Sequence, residues 1–256
     1  MQLSSFKYLF IICSLVSSCA VFAEPSSDTT NNSISFSYWN EAAPPFVFEK
    51  DELLSGGMLK DFGDAIAHRL KRTPHYLKLP VPRIEQYLNE GRVGIDCITN
   101  RSWKKSPDNY HWSPTLFDGE DRLLVRKDAG FEINEFKDLE GKLLGVYNGY
   151  VYHPTIMNMI ESGKVKTVKV NSVEKGILLL KLQRLDALID FGIILRYQLK
   201  TADERGELRL ANLIADEYEL SCAYSKKLSI PRAEFDTAIS ELIDKGLVSE
   251  ILRKYR

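Results

Sequence analysis

The sequence predicts an α/β protein, and three observations carry this prediction. Short apolar runs with strand character alternate along the chain with segments whose apolar residues recur every three or four positions. The connections between these segments are short, which is typical of sheets covered by helices. The chain has 256 residues, of which 44% are hydrophobic. It is therefore long enough for one large domain or for two domains of about 100 residues each.

Residues 1–23 are predicted to be a secretory signal peptide. Lys7 precedes an apolar run that ends at Val16 and is shorter than the roughly 20 residues that span a bilayer. A small-residue motif predicts cleavage after Ala23, whereas the segment up to Cys19 resembles a lipoprotein box. We therefore expect a periplasmic or secreted protein cleaved after Ala23, and the alternative is a lipoprotein anchored through Cys19.

Charge and composition exclude several classes of partner. Lys7 is the only charged residue of the predicted signal peptide, so the mature chain carries a net charge of -2. It has no basic excess of the kind that binds nucleic acid. The four histidines lack metal-ligand spacing, and no Gly-x-Ser-x-Gly motif is present. We expect a monomer with no metal, no cofactor and no nucleic-acid partner.

The first elements follow from local hydrophobic patterns. A polar lead-in at 24–33 is expected to be disordered. Period-two alternation over 34–38 predicts a strand, and apolar residues at spacings of three and four over 58–70 predict an amphipathic helix. A weaker strand at 76–79 and a short helix at 82–89 follow.

The stretch from Gly91 to Arg126 organises the rest of the prediction. An apolar run at 93–98 predicts a buried strand, and 123–126 begins another. Residues 100–114 between them have neither helical nor strand period, and they concentrate rings and cations at Arg101, Trp103, Lys104, Lys105, Tyr110, His111 and Trp112. Such a loop indicates a partly covered site where a ligand lies against flat aromatic faces. The alternative is that the rings fill the local core.

A second alternating series follows Arg126. The predicted strands are 143–147, 167–170 and 187–189, and the predicted helices are 150–161, 173–183 and 193–200. Asn171 and Glu174 are predicted to cap the middle helix. A strand at 220–224 and a helical segment at 231–255, interrupted near Gly246, end the chain.

Several motifs occur in a recognisable order: Pro44–Phe48, Gly91–Asp96, Trp112–Pro114, Phe136–Val146 and Arg184–Ile189. Their order and spacing resemble those of the family 3 extracellular solute-binding proteins across nearly all of residues 34–256. The resemblance implies a two-lobed periplasmic-binding-protein fold of type II, in which each lobe is a mixed, mostly parallel sheet flanked by helices and the ligand cleft lies between the lobes. Residues 34–120 with 219–256 would form lobe 1, and 121–218 would form lobe 2.

The resemblance also implies a function. The chain would capture an amino acid, or a related zwitterion or anion, and pass it to the inner-membrane permease of an ABC transporter. One alternative is a sensory module that reports to a membrane receptor. The other is a dehydratase-like enzyme with Asp190 or Glu41 as its acid.

Two positions depart from the amino-acid binders of that family. Ser106 stands where they carry the Arg that grips the α-carboxylate, so Arg101, Lys104 or Lys105 becomes the candidate cation. Phe191 stands where they carry the Asp for the α-amine, with Asp190 one position early. The extra rings favour an aromatic, cationic or peptide-like ligand.

The implied cleft residues come from both predicted lobes. Tyr147–Tyr150 matches the loop and helix start that hold an anionic group in the family, because a helix N-terminus presents free N–H groups. The complete candidate ligand-binding set is Trp39, Asn40, Phe46, Thr99, Asn100, Arg101, Trp103, Lys105, Trp112, Tyr147, Asn148, Gly149, Tyr150 and Asp190.

Cys97 and Cys222 are the only cysteines that remain after cleavage at Ala23. The resemblance implies that their strands are neighbours in the sheet of lobe 1. Because the predicted compartment is oxidising, our hypothesis is that the two cysteines form a disulfide. The alternative is two buried thiols that merely pack.

Overall fold

A computed structural model describes residues 32–255, so the predicted signal peptide and most of the polar lead-in lie outside the described residues. Within the described range, eleven strands and seven α-helices alternate along the chain. Nine of the strands form one curled mixed sheet, and the other two form a separate hairpin. This confirms the predicted α/β class.

One end of the sheet is parallel and comes from the first part of the chain. Its strands are β1 (Ser33–Trp39), β4 (Thr73–Leu79) and β5 (Ile95–Thr99), in the order β4-β1-β5. The hairpin consists of β2 (Phe48–Lys50) and β3 (Leu53–Gly56), and the helices of this part are α1 (Met58–Arg69) and α2 (Val81–Glu90). Gly91 ends α2 with a φ of 74°, a conformation that costs glycine little.

The other end of the sheet comes from the middle of the chain. Its strands are β7 (Phe117–Arg126), β8 (Leu143–Tyr147), β9 (Lys166–Val170) and β10 (Ala187–Phe191), in the order β7-β10-β8-β9. Strands β8, β9 and β10 are parallel, and β7 is antiparallel to β10. The helices here are α3 (Pro154–Glu161), α4 (Val173–Lys181) and α5 (Gly192–Thr201).

A single long strand, β11 (Leu208–Ser225), connects the two ends. Its residues 208–220 pair with β7, and its last residues pair with β5 and with β6 (Tyr110–Trp112). We call the β4-β1-β5 end with its helices the first half and the β7-β10-β8-β9 end with its helices the second half. The helices α6 (Arg232–Asp244) and α7 (Leu247–Tyr255) close the chain, and both pack on α1 of the first half.

Buried apolar side chains hold each half together. Phe36, Phe62 and Phe235 are at most 2% exposed in the core that includes the first half, and Leu123 and Ile189 are fully buried in a separate cluster of the second half. Burying one such side chain stabilises the fold by about 1.5–3 kcal/mol.

Several predicted bounds were wrong, each for a local reason. The helix predicted from Tyr150 begins at Pro154, because proline suits the first helical turn. Ser172 rather than Asn171 caps α4, since its hydroxyl accepts from the backbone N–H of Lys175. The strand predicted at 220–224 begins at Leu208, and its many exposed polar residues hide its length. The loop predicted at 100–114 contains β6 and two short 3₁₀ turns.

Cys97 and Cys222 lie opposite each other in the pairing of β5 with β11. Their sulfur atoms are bonded in a disulfide, and both residues are at most 3% exposed. The bond fastens the long connecting strand to the first half.

Candidate functional site

A cavity of about 280 Å³ lies between the two halves. The first half contributes the end of β1, the start of α2, the end of β5 and the loop that follows it. The second half contributes β7, the loop after β8 and the end of β10. This volume is close to the lower end of the range for small-molecule sites, which is about 300–1,000 Å³.

The structure brings part of the predicted set together around this cavity. Those that line it are Trp39, Thr99, Trp103, Lys105, Gly149 and Tyr150. Those outside its lining are Asn40, Phe46, Asn100, Arg101, Trp112, Tyr147, Asn148 and Asp190. The predicted loop and both halves are thus represented in the lining.

Five of the outside residues stabilise the loop or lie on the surface. Asn100 caps the first 3₁₀ turn by accepting from the backbone N–H of Ser102 at 2.7 Å. Arg101 is exposed and pairs with Asp108. Trp112 donates from its Nε1 to the carbonyl of Pro107 at 2.9 Å, and the exposed Asn148 accepts from Lys169 at 3.4 Å. Asn40 is also exposed.

Three other outside residues form a layer behind the cavity. The Tyr147 hydroxyl donates to Asp190 Oδ2 at 2.7 Å, and the backbone N–H of Phe191 donates to Asp190 Oδ1 at 2.8 Å. The ring of Phe46 packs against the rings of Trp39 and Phe191, with centroids 5.9 and 5.1 Å away. These contacts position Trp39 and Phe191, which do line the cavity.

The loop at 147–150 does not begin a helix, contrary to the predicted helix start at Tyr150. Helix α3 begins four residues after Tyr150, and its first turn is capped by His153, whose Nδ1 accepts from the Thr155 N–H at 3.2 Å. Gly149 instead marks a close approach of the two halves. It has a φ of 80°, and a Cβ there would lie 3.0 Å from Pro82 Cγ of α2.

The first-half wall contains a buried ion pair that was not predicted. Lys104 Nζ lies 2.7 Å from Asp96 Oδ2, and the two side chains are only 8% and 5% exposed. The Ser37 hydroxyl donates to the other oxygen of Asp96 at 2.9 Å. The charge of Lys104 is therefore neutralised within the protein. Lys105 is exposed, and its backbone N–H donates to Glu85 at 3.0 Å.

The second-half wall contains a buried acid that sequence reasoning missed. Asp121 is 7% exposed and lines the cavity, and the Tyr218 hydroxyl donates to its Oδ1 at 2.6 Å. Burial raises the pKa of Asp121 to about 7, and the nearby Asp216 and Glu120 act in the same direction. The signal was the period of β7, since Asp121 alternates with the buried Leu123 and Val125 on one face.

Asp190, at the end of β10, is a second buried acid of the second half. It is 3% exposed, and burial raises its pKa to about 7. The charged groups that act on it are Asp121 and Glu174, both acids. Within residues 32–255, neither Asp121 nor Asp190 forms an ion pair with a Lys or an Arg.

Four rings form a connected cluster at the cavity, which we call the ring cluster: Trp39, Trp103, Phe191 and Tyr218. The centroids of Trp103 and Tyr218 are 4.7 Å apart in an edge-on arrangement, and Phe191 lies 5.9 Å from Trp103 and 6.0 Å from Trp39. The cluster presents aromatic faces next to a buried carboxyl group.

A larger cavity, of about 610 Å³, is lined by α5, α7 and the start of β7. Three of its charged lining residues have partners, since Arg196 pairs with Glu120 and Lys254 pairs with Asp61. Of the predicted ligand-binding residues, only Phe46 lines it. The smaller cavity is therefore the better candidate site.

Two further observations concern the described residues as a group. Residues 32–255 contain no set of three or more His, Cys, Asp or Glu side chains placed to hold a metal ion. In the same range, no helix has the length and apolar character needed to cross a bilayer.

Comparisons with known proteins agree with the fold. A family profile described as NMT1/THI5 like matches residues 120–243. No curated protein sequence matches the chain. An ancestral arginine-binding protein bound to arginine superposes with a TM-score of 0.74 at 20% identity, over 88% of this chain and 98% of that one.

Two other solved structures are similarly close. An amino acid ABC transporter substrate-binding protein from Streptococcus pneumoniae, bound to L-arginine, has a TM-score of 0.72 at 16% identity, over 89% of this chain and 95% of that one. An ancestral amino-acid-binding protein, described as a precursor of cyclohexadienyl dehydratase, has a TM-score of 0.72 at 16% identity, over 89% and 96%. The chain therefore has the two-lobed periplasmic-binding-protein fold expected from the sequence.

Proposed function

We propose that this chain is an exported solute-binding protein, related to the family 3 extracellular solute-binding proteins, that captures a small polar solute between two lobes. The single observation that carries the proposal is the cavity between the halves, where the ring cluster meets buried charged groups. The solute class is an amino acid or a related zwitterion. The arginine-bound structures of the same fold support this class.

The lobes proposed are residues 34–120 with 219–256, and residues 121–218. The pairing of β7 with β11 supports this division, because Asp121 lies opposite Asp216 and Gly119 opposite Tyr218 where the chain crosses between the halves. Closing the lobes around a solute would remove water from the cavity and strengthen each polar contact. The proposed location is the periplasm or the exterior, and the proposed partner is the permease of an ABC transporter.

A thermal-shift screen of amino acids, polyamines and small peptides tests the proposal, because a bound solute stabilises the folded state. Trp103→Ala should weaken binding of a hit by about tenfold or more, since it removes a ring from the cavity. Trp112→Ala is the matched control, because Trp112 belongs to the same loop but lies outside the lining. Equal losses in both variants, or no hit at all, would reject the proposed site.

A second candidate function, a dehydratase-like enzyme, is favoured by one observation. Asp121 has a pKa raised to about 7 and lines a partly enclosed cavity, which suits a general acid. Asp190 and Glu41, the acids expected from the sequence, lie outside the lining. Incubation with prephenate and with arogenate, followed by product analysis, decides between the two functions. Absence of product from both compounds would reject the enzyme.

A further inference from the structure

The acidic and basic residues that line the cavity differ in whether they are available to bind a ligand. Three acids and two lysines contribute to its lining, namely Glu85, Asp96, Asp121, Lys104 and Lys105. Lys104 is already ion-paired with Asp96, and Lys105 is exposed. Arg101, the other cation of the loop, is exposed and paired with Asp108. No buried cation of the lining is free to receive a ligand carboxylate.

In contrast to the cations, one acid of the lining, Asp121, has no partner of opposite charge within residues 32–255. Asp121 accepts a hydrogen bond from Tyr218 and has no cationic partner among the described residues. Its other neighbours are Asp190, Asp216 and Glu120, so every charged group that acts on it is an acid. A buried carboxylate without a cation is costly, and a cationic ligand would relieve that cost.

The rings beside Asp121 fit the same kind of ligand. Tyr218, which hydrogen-bonds Asp121, belongs to the ring cluster with Trp103 at 4.7 Å and Phe191 at 6.1 Å. Aromatic faces attract ammonium groups, and their attraction increases when water is excluded. The rings also offer flat apolar surface to a carbon skeleton.

We infer that the cavity takes a small organic cation, an amine without an α-carboxylate, with its ammonium group beside Asp121 and its carbon skeleton against Trp39, Trp103 and Phe191. The inference rests on the proposed capture of a small solute between the lobes, and it places the ligand outside the amino-acid class proposed above. An α-carboxylate on the same ligand lowers affinity, because it meets acids rather than a free cation in the cavity wall.

Matched pairs of probes that differ by one carboxylate test the inference: agmatine and arginine, cadaverine and lysine, phenethylamine and phenylalanine. Calorimetry on the full mature chain should give at least about tenfold tighter binding for the amine in the pair that fits, in keeping with one charge-assisted contact. Tighter binding of the amino acid overturns the inference and leaves the proposed function in place. No binding by either member of any pair overturns both.

Two variants identify the acid. Asp121→Asn should weaken binding of the amine by about tenfold or more, because it removes the negative charge and keeps the shape. Asp118→Asn, on the same strand but exposed and outside the cavity, should leave it unchanged. Equal affinities of Asp121→Asn and the wild-type chain overturn the inference.

Proton linkage gives a readout that does not depend on the variant folding. An ammonium group beside Asp121 lowers the pKa of that carboxyl, so binding near pH 7 releases protons. The binding enthalpy should therefore differ between phosphate and Tris buffers, and amine affinity should rise from pH 6 to pH 8. Identical enthalpies together with a flat pH profile overturn the inference.

Discussion

The first half of the molecule buries Asp96 in the cavity wall together with its own cation, Lys104. The second half buries Asp121 in the cavity wall and Asp190 outside the lining, and neither acid has a cationic partner among the described residues. The disulfide also fastens the first half to β11. Among the described residues of the second half there is no disulfide. The buried charge of the first-half wall is thus paired within the protein, which we call internally satisfied, whereas Asp121 in the second-half wall is available to a charged ligand. This difference suits a site in which a fixed wall orients the ligand and the opposite wall binds its charge.

The largest expected effect comes from the disulfide. In the chain-entropy treatment, a bond that closes a loop with a sequence separation of 125 stabilises the fold by about 5 kcal/mol. Urea unfolding with and without reductant should differ by an amount of this order. Mass spectrometry after alkylation under denaturing, non-reducing conditions supplies the check, because two alkylated thiols would contradict the bond.

Breaking the ion pair should cost nearly as much. Lys104→Met leaves Asp96 buried without a cation, and the expected loss is about 3–5 kcal/mol in the free energy of unfolding. Lys105→Met, an exposed neighbour, should change it by less than about 0.5 kcal/mol. Similar urea midpoints for the two variants would mean that Lys104 does not stabilise the buried Asp96, so that the first-half wall is not internally satisfied.

The architecture was accessible from the sequence, but the charge arrangement of the two walls was not. Hydrophobic periods located β8, α1 and α7 closely, because local burial fixes those elements. The pairing of Lys104 with Asp96 depends on how a loop folds back over the end of β5, and no local pattern encodes that contact. Phe191 was noted as a departure from the family, yet its place between Trp39 and Trp103 is a tertiary property.

The unpaired acids should make stability depend on pH. The folded-state pKa of Asp190 is about 7, above an unfolded value of about 3.9, so the folded protein binds more protons than the unfolded chain between these values. Stability should therefore fall as pH rises from about 4 to about 7. Asp190→Asn should remove part of this slope and gain about 2–4 kcal/mol at pH 8, within the limit set by the pKa difference.

Asp118→Asn is the control for that experiment, since Asp118 is exposed on the neighbouring strand β7. It should leave the pH slope of the urea midpoint unchanged. If Asp190→Asn also keeps the wild-type slope, the second half does not carry the uncompensated buried charge that distinguishes it from the first half.

The smallest effect tests where the two walls touch. Gly149 and Gly163 have φ values of 80° and 74°, so alanine at either position carries the same left-handed backbone penalty of about 1–2 kcal/mol. At Gly149 the new Cβ also meets Pro82 Cγ at 3.0 Å, whereas at Gly163 it meets nothing within 4 Å. Gly149→Ala should therefore lose more stability than Gly163→Ala, by about 1 kcal/mol, the lower end of the usual cost of overpacking. Because Pro82 belongs to the first half and Gly149 to the second, the excess should disappear in the double variant Gly149→Ala/Pro82→Ala. An excess that persists there would place the cost within the second half and remove this contact from the comparison of the walls.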